Sequence, residues 1–196
     1  MVDKMPITIG EFSQIEYLTV FNTIIFGLVA SEYFTGWGAM LRYRENVKIC
    51  FLHLLWTIFS FLTLIQNWYS IWPRTQFINN NILYFIYSLV PMIVFYLISV
   101  VLFPNIRQGE KISLKEFHQK NIRALFTLFA FYFSLSISSS FVYEDVGNVF
   151  GQNLLRLLGV ILSITAAIFH KTVWLQYLFL IIGYIGLGVF LFLIPR

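Results

Sequence analysis

The sequence predicts an all-α fold, a polytopic transmembrane helix bundle with about six spans. Hydrophobic residues make up 59% of the chain and charged residues only 11%, whereas a soluble domain carries about 25% charged residues. The apolar residues form long runs, such as Ile49–Ile65 and Ile82–Phe103, that suit hydrocarbon better than a protein core. Because backbone groups in hydrocarbon must pair within the protein, and the runs lack the alternation of a barrel, we expect helices.

Six stretches have, or nearly have, the ~20 apolar residues that a span needs. We place the spans at residues 17–38, 49–71, 82–103, 122–143, 154–170 and 173–194. In the first span, Gly36 and Gly38 are expected to end the helix. Only Lys171 and Thr172 separate the last two spans, which predicts a tight helical hairpin. Residues 1–196 are therefore interpreted as a single membrane domain.

The longest connection, residues 104–121, divides the spans into two sets of three. Ser113 followed by Glu116 has the spacing of a capping box, which starts a helix. We therefore predict a short amphipathic helix on the cytoplasmic side, which either runs on into the fourth span or bends near Asn121. The candidate surface for a cytoplasmic protein partner consists of Lys111, Lys115, Phe117 and Lys120.

The basic residues predict the orientation, because Lys and Arg in short loops resist translocation. With the N-terminus outside, nine cations lie on the cytoplasmic side: Arg42, Arg44, Lys48, Arg107, Lys111, Lys115, Lys120, Arg123 and Lys171. The other side then holds only Lys4, Arg74, Arg156 and Arg196. We expect both termini outside the cytoplasm, in a cell inner or plasma membrane. These cations are dispersed between apolar runs, which favours contact with membrane lipid and not with nucleic acid.

The fourth span concentrates serine in its outer half, where small hydroxyl side chains permit either close helix packing or a polar pathway. The candidate pathway consists of Ser134, Ser138 and Ser139, joined by Gln66 and Asn67 from the second span. These serines surround the helix, so their spacing does not select one face. Arg156 is expected to reach the outer surface and anchor its helix there.

Glu32 and His53 form a candidate proton or pH site. Ionisable residues inside a span are costly and often mark function, and the first two antiparallel spans place these two at similar depth. The alternative is that Glu32 is an interfacial anion and His53 a hydrogen-bonded core histidine.

The single cysteine, Cys50, and the absence of a His-x-x-x-His motif predict no metal and no haem. We expect no other cofactor and no catalytic residue, because the chain has neither a phosphate-binding glycine loop nor a nucleophile beside a base.

The preferred function is an oligomeric channel or transport unit for ions or small solutes. A homo-oligomer is expected because a bundle of six helices leaves little room for a pathway of its own. The alternative is a membrane sensor or scaffold that docks a cytoplasmic effector through residues 104–121, for example in a stress or antiviral defence system. An enzyme is the least favoured of the three.

Overall fold

Six α-helices make up nearly all of the described chain, and each is long and apolar enough to cross a membrane. The structure is a computed structural model that describes residues 14–71, 82–106, 109–143 and 150–193. The helices are α1 (Gln14–Arg42), α2 (Phe51–Tyr69), α3 (Ile82–Leu102), α4 (Leu114–Val142), α5 (Phe150–Ile168) and α6 (Val173–Leu193). The predicted all-helical architecture with six apolar helices is confirmed, whereas insertion into a membrane stays a prediction.

Successive helices run antiparallel and give the bundle two chemically different ends. The α1–α2, α3–α4 and α5–α6 connections share one end, which we call the basic end because Arg42, Lys48, Lys115 and Lys171 belong to it. The opposite end, where α1 begins and α6 ends, is called the terminal end. Arg107 of the predicted cytoplasmic set, and Lys4, Arg74 and Arg196 of the other set, lie outside the described residues.

The prediction that α1 ends near Gly36 and Gly38 is wrong, because the helix continues to Arg42. A Cβ atom at position 36 would lie 2.2 Å from the Phe103 ring, so glycine is required here for close approach of that ring. A glycine inside a helix costs about 1 kcal/mol relative to alanine, and the ring packing offsets that cost.

Of the two predicted courses of the amphipathic segment, the structure shows the first: its residues form the first turns of α4, a continuous helix of 29 residues. Ser113 precedes α4 in extended backbone, but its side chain makes no capping hydrogen bond. It belongs instead to a two-residue strand, β2 (Ile112–Ser113), which pairs in parallel with β1 (Val47–Lys48). We call this pair the clasp. It fastens the α1–α2 connection to the α3–α4 connection and takes the place of the predicted capping box.

A small apolar cluster packs around the clasp. Val47, Ile106 and Leu114 are buried together, with Tyr43 and Ile112 packed against them.

The main core lies between the helices, where hydrogen bonds add to packing: Tyr33 bonds Ser60 at 2.6 Å, Trp37 donates to Thr57 at 3.0 Å, and Tyr184 donates to the Leu55 carbonyl at 3.0 Å. In lipid, helices associate through packing and such hydrogen bonds. The hydrophobic effect does not drive their association there, because lipid tails are as apolar as the helix surfaces.

Candidate functional site

Along one face of α2, a polar side chain near the basic end is followed by aromatic side chains and then by polar side chains near the terminal end. His53 lies near the basic end, Trp56 and Phe59 follow, and Gln66 and Asn67 lie near the terminal end. Steps of three or four residues keep these side chains on one side of a helix. His53, Trp56 and Phe59 are almost completely buried, so this face points into the bundle.

Helix α4 repeats that order at matching depths, and α6 repeats its first two parts. On α4, His118 is followed by Phe129 and then by Ser139, all three buried. On α6, the buried Gln176 is followed by Phe179. The interior is thus divided into three layers: a histidine cluster at the basic end, an aromatic layer in the middle and a polar cavity at the terminal end.

The histidine cluster joins three helices through their side chains. His53 Nδ1 on α2 lies 3.4 Å from His118 Nδ1 on α4, and His118 Nε2 lies 2.9 Å from Gln176 Oε1 on α6. The exposed fractions of His53, His118 and Gln176 are 1%, 4% and 2%, so water contributes little to their hydrogen bonding. Gln176 Nε2 also donates to the His170 carbonyl at 3.5 Å.

The carbonyl oxygen of Gln176 determines which nitrogens carry hydrogen when both rings are neutral. His118 Nε2 donates to it, so His118 Nδ1 is the acceptor and His53 Nδ1 donates. His53 Nε2 is then a buried acceptor with no hydrogen-bond partner in the described part of the chain. The cluster therefore leaves one ring nitrogen unsatisfied in the described interior of the bundle.

The structure does not bring Glu32 and His53 together. Glu32 is exposed on α1, one position before the fully buried Tyr33, because the buried face of α1 passes through Val29 and Tyr33 and leaves position 32 outside it. His53 faces His118 instead, a contact across 65 residues of sequence. Within the described ranges, no group of three or more His, Cys, Asp or Glu side chains is placed to hold a metal ion.

The aromatic layer closes the interior between the two polar regions. It consists of Trp56, Phe59, Phe126, Phe129 and Phe179, whose exposed fractions are all small. The Trp56 ring centroid lies 5.0 Å from that of Phe179 and 5.2 Å from that of Phe126, spacings that stabilise ring pairs. Five rings in contact fill this part of the described interior.

The polar cavity lies at the terminal end, between α2, α3, α4, α5 and α6, and has a volume of about 80 Å³. A single water needs only about 10–15 Å³, so the cavity is large enough for several waters. Its polar lining consists of Gln66, Asn67, Ser70, Tyr87, Ser88, Tyr132, Ser136, Ser139, Tyr143 and Arg156. Pro91 of α3 also borders it, and since proline has no N–H, the Tyr87 carbonyl lacks its usual helical donor.

The candidate pathway residues separate into three positions. Gln66, Asn67 and Ser139 line the cavity. Ser138 lies beside it and forms a short hydrogen bond with the Tyr87 hydroxyl. Ser134 is exposed on the outer side of α4 and donates to the Ala130 carbonyl of its own helix at 2.8 Å, so the structure places it away from the cavity.

Arg156 lies at the wall that the polar cavity shares with a second, neighbouring cavity. It is six residues into α5, about 9 Å along the axis. Its guanidinium donates to four oxygens: Ser136 O at 3.2 Å, Ser140 Oγ at 3.0 Å, Asn153 Oδ1 at 2.9 Å and Gln152 Oε1 at 3.3 Å. Arg156 thus faces neighbouring helices, whereas the sequence suggested a side chain that reaches outward.

The second cavity, about 100 Å³ in volume, is a groove between α5 and α6. Its walls are mainly apolar, and it contacts the polar cavity at Gln66, Phe133, Arg156 and Phe190, which line both. We call it the α5–α6 groove. Sequence reasoning missed it, although three small residues on its floor, Gly159, Gly183 and Gly186, are visible in the sequence.

The candidate partner surface is only partly exposed. Lys111, Lys115 and Lys120 are exposed at the basic end, whereas Phe117 is half-buried. The Phe117 ring stands edge-on to His53 with centroids 6.1 Å apart. Phe117 therefore packs on the histidine cluster, and the lysines alone are free to face outward.

Comparison of the chain with known protein families, with curated proteins and with solved structures finds no match.

Proposed function

We propose that the chain is a membrane transport unit that crosses the bilayer six times and receives its ligand in the polar cavity. The observation that carries this proposal is the polar, aromatic, polar order along α2 and α4, which α6 joins at the histidine cluster and in the aromatic layer. A helix bundle that served only as an anchor has no need for a cavity lined by polar side chains at one end and a buried histidine cluster at the other. Ionisable and polar groups in the interior of a membrane bundle are typical of substrate or ion pathways.

The proposed pathway lies within one chain. Five helices of the same chain enclose the polar cavity, so a path between subunits is not required, in contrast to the expectation from the sequence. The aromatic layer closes the cavity toward the basic end. We interpret the arrangement as one state of an alternating-access cycle, in which rearrangement of the rings exposes the cavity to the opposite side.

The positive-inside rule gives the proposal a direction. The exposed Lys111, Lys115 and Lys120 would face the cytoplasm, and both termini would lie outside it, in a cell inner or plasma membrane. The polar cavity would then open toward the outside, and the histidine cluster would face the cytoplasmic half.

Cysteine accessibility tests the cycle without knowledge of the ligand, since Cys50 is the only cysteine and Cys50→Ser gives a cysteine-free background. In that background, Ser139→Cys is exposed to a sulfonate-bearing methanethiosulfonate, added to vesicles of either orientation. We expect fast labelling from the terminal-end side and slower labelling from the basic-end side. Phe129→Ala, which opens the aromatic layer, is expected to speed basic-end labelling several-fold.

The matched control is Ser134→Cys on the same helix. Its side chain is exposed on the outer face of α4, where a thiol in hydrocarbon does not ionise, so no labelling from either side is expected. Labelling of Ser139→Cys from a single side, or from neither, would contradict transport.

A scaffold role is the second candidate, favoured by the clasp. The clasp and its cluster of Val47, Ile106 and Leu114 fix the connection that carries Lys111 and Lys115, so these cations are presented on a rigid base to an acidic cytoplasmic partner. Co-purification from native membranes tests it, with Lys111, Lys115 and Lys120 changed together to Gln and Lys171→Gln as the control. A protein partner lost only from the triple variant supports this role, and identical preparations exclude it.

A further inference from the structure

The shape and chemistry of the two adjoining cavities point to an amphiphilic ligand. The polar cavity alone would suit a small hydrophilic solute. The α5–α6 groove beside it is lined by apolar side chains such as Leu162, Ile182 and Leu187. These side chains form no hydrogen bonds with a hydrophilic solute. A molecule with a polar head and a hydrocarbon chain satisfies both regions at once.

We propose that an anionic membrane phospholipid binds with its headgroup at Arg156 and with part of one acyl chain in the α5–α6 groove. This proposal deepens the proposed function by naming the class of ligand that the cavity receives. A guanidinium attracts a phosphate by charge, and the headgroup oxygens would replace the side-chain oxygens of Asn153 and Gln152 as acceptors of its N–H groups. Gln66 and Gln152 line the same end of the groove, and the side chain of Gln66 hydrogen-bonds no residue within the described ranges.

Three glycines give the groove its floor. A Cβ atom at Gly183 would lie 2.5 Å from the Phe59 ring, and one at Gly159 would lie 3.0 Å from the Phe133 ring. These two glycines let aromatic rings pack directly onto helix backbone. A Cβ atom at Gly186 would meet nothing within 4 Å, so the absence of a side chain at Gly186 leaves space that an acyl chain can fill.

The groove is reached from the hydrocarbon side of the bundle. Leu155 at its rim is 38% exposed, and the neighbouring α6 residues Ile181 and Ile185 are 57% and 60% exposed. A lipid can therefore enter sideways without leaving the bilayer. Because its chain is surrounded by hydrocarbon before and after entry, preference among lipids arises from the headgroup at Arg156.

Lipid retention in native mass spectrometry tests the site. The protein is reconstituted with equal amounts of phosphatidylglycerol and phosphatidylcholine, extracted in mild detergent and analysed for retained lipid. We expect preferential retention of phosphatidylglycerol, reduced about tenfold by Arg156→Gln. Gly186→Leu, which fills the groove, should reduce retention similarly, whereas Gly188→Leu, where a Cβ atom also meets nothing within 4 Å and which is not part of the groove lining, should leave it unchanged.

Three outcomes would overturn the proposal. Equal retention of the two lipids would show that the headgroup is not recognised. Retention that Gly186→Leu leaves unchanged would show that the groove does not bind the acyl chain. Displacement of phosphatidylglycerol by free glycerol 3-phosphate at the same concentration would identify the site as one for a soluble anion.

The lipid test and the transport test can fail separately. If Ser139→Cys is labelled from one side only while phosphatidylglycerol is retained, transport is excluded and the lipid site stands. If two-sided labelling is observed without selective retention, transport stands and its ligand is not an anionic lipid.

Discussion

The two polar regions of the bundle satisfy their hydrogen bonds in different ways. At the basic end, His53, His118 and Gln176 bond one another across three helices. At the terminal end, Ser138 and Ser139 each donate to a carbonyl three residues earlier in their own helix, at 2.9 Å and 2.8 Å. A hydroxyl that is satisfied within its own helix leaves the neighbouring space unoccupied and can exchange partners at little cost. The basic end thus depends on hydrogen bonds between helices, whereas at the terminal end such bonds come from Tyr87 and Arg156 and the hydroxyl of Ser139 bonds only within its own helix.

The largest effect on stability is expected at the basic end, from His118→Ala. This change removes both hydrogen bonds of the ring, leaves His53 Nδ1 and Gln176 Oε1 unpaired and opens a void, which together cost about 2–4 kcal/mol. Reversible unfolding in mixed micelles measures the loss. Gln119→Ala, at the exposed neighbouring position, should change the free energy of unfolding by less than about 0.5 kcal/mol. Equal effects of the two changes would remove the proposed structural role of the cluster.

The next largest effect separates closely packed from open positions on α6. Gly183→Ala places a methyl group 2.5 Å from the Phe59 ring, and such overpacking costs about 1–3 kcal/mol. Gly186→Ala meets nothing within 4 Å and should stabilise the helix by about 0.5–1 kcal/mol. The two variants are compared by thermal unfolding in the same detergent. Opposite signs are expected, and destabilisation by Gly186→Ala would show that the groove is filled by protein.

A smaller effect is expected from Tyr87→Phe at the polar cavity. The Tyr87 hydroxyl lies within hydrogen-bond distance of Ser138 Oγ and, at 2.9 Å, of the Leu135 carbonyl, and it donates its single proton to one of these two acceptors. This contact between α3 and α4 is worth about 0.6–1.5 kcal/mol. Because Ser138 keeps its own bond to the Leu135 carbonyl, neither partner is left unpaired. A loss as large as that of His118→Ala would contradict the difference between the two ends.

The smallest effect is expected from Ser139→Ala. Its hydroxyl donates only to the Ser136 carbonyl, and the cavity beside it admits water, so the free energy of unfolding should change by less than about 0.5 kcal/mol. The same unfolding measurement is used. A loss above 1 kcal/mol would show that this serine carries tertiary structure, and the terminal end would then resemble the basic end.

Hydropathy was sufficient to predict the number and approximate position of the helices, because a continuous apolar run is a local property of the chain. The end of α1 was missed since the demand for glycine at position 36 comes from Phe103, 67 residues later in sequence. The start of α4 was found from the Ser113 pattern, although for the wrong reason, since the clasp and not a capping box precedes it.

The candidate site was only partly predictable. Serines surround the fourth span, so the sequence could not distinguish Ser134 on the outside from Ser139 at the cavity. His53 was singled out, but its partner was sought on the adjacent helix at Glu32 and found instead at His118. The antiparallel order of spans does place His53, His118 and Gln176 near the same end, and that matching depth was the signal available in the sequence.

The clasp also has a consequence for the order in which the molecule is assembled. Parallel strands need a long crossover connection, and between β1 and β2 that connection contains two complete helices, α2 and α3. During synthesis the clasp therefore cannot form until Ser113 has left the ribosome, and before then the first helical hairpin is held by its own contacts, such as Tyr33–Ser60 and Trp37–Thr57. Once Ser113 is available, the connection before α4 can pair with the connection after α1. The fourth helix then starts from a connection that is paired with an earlier part of the chain.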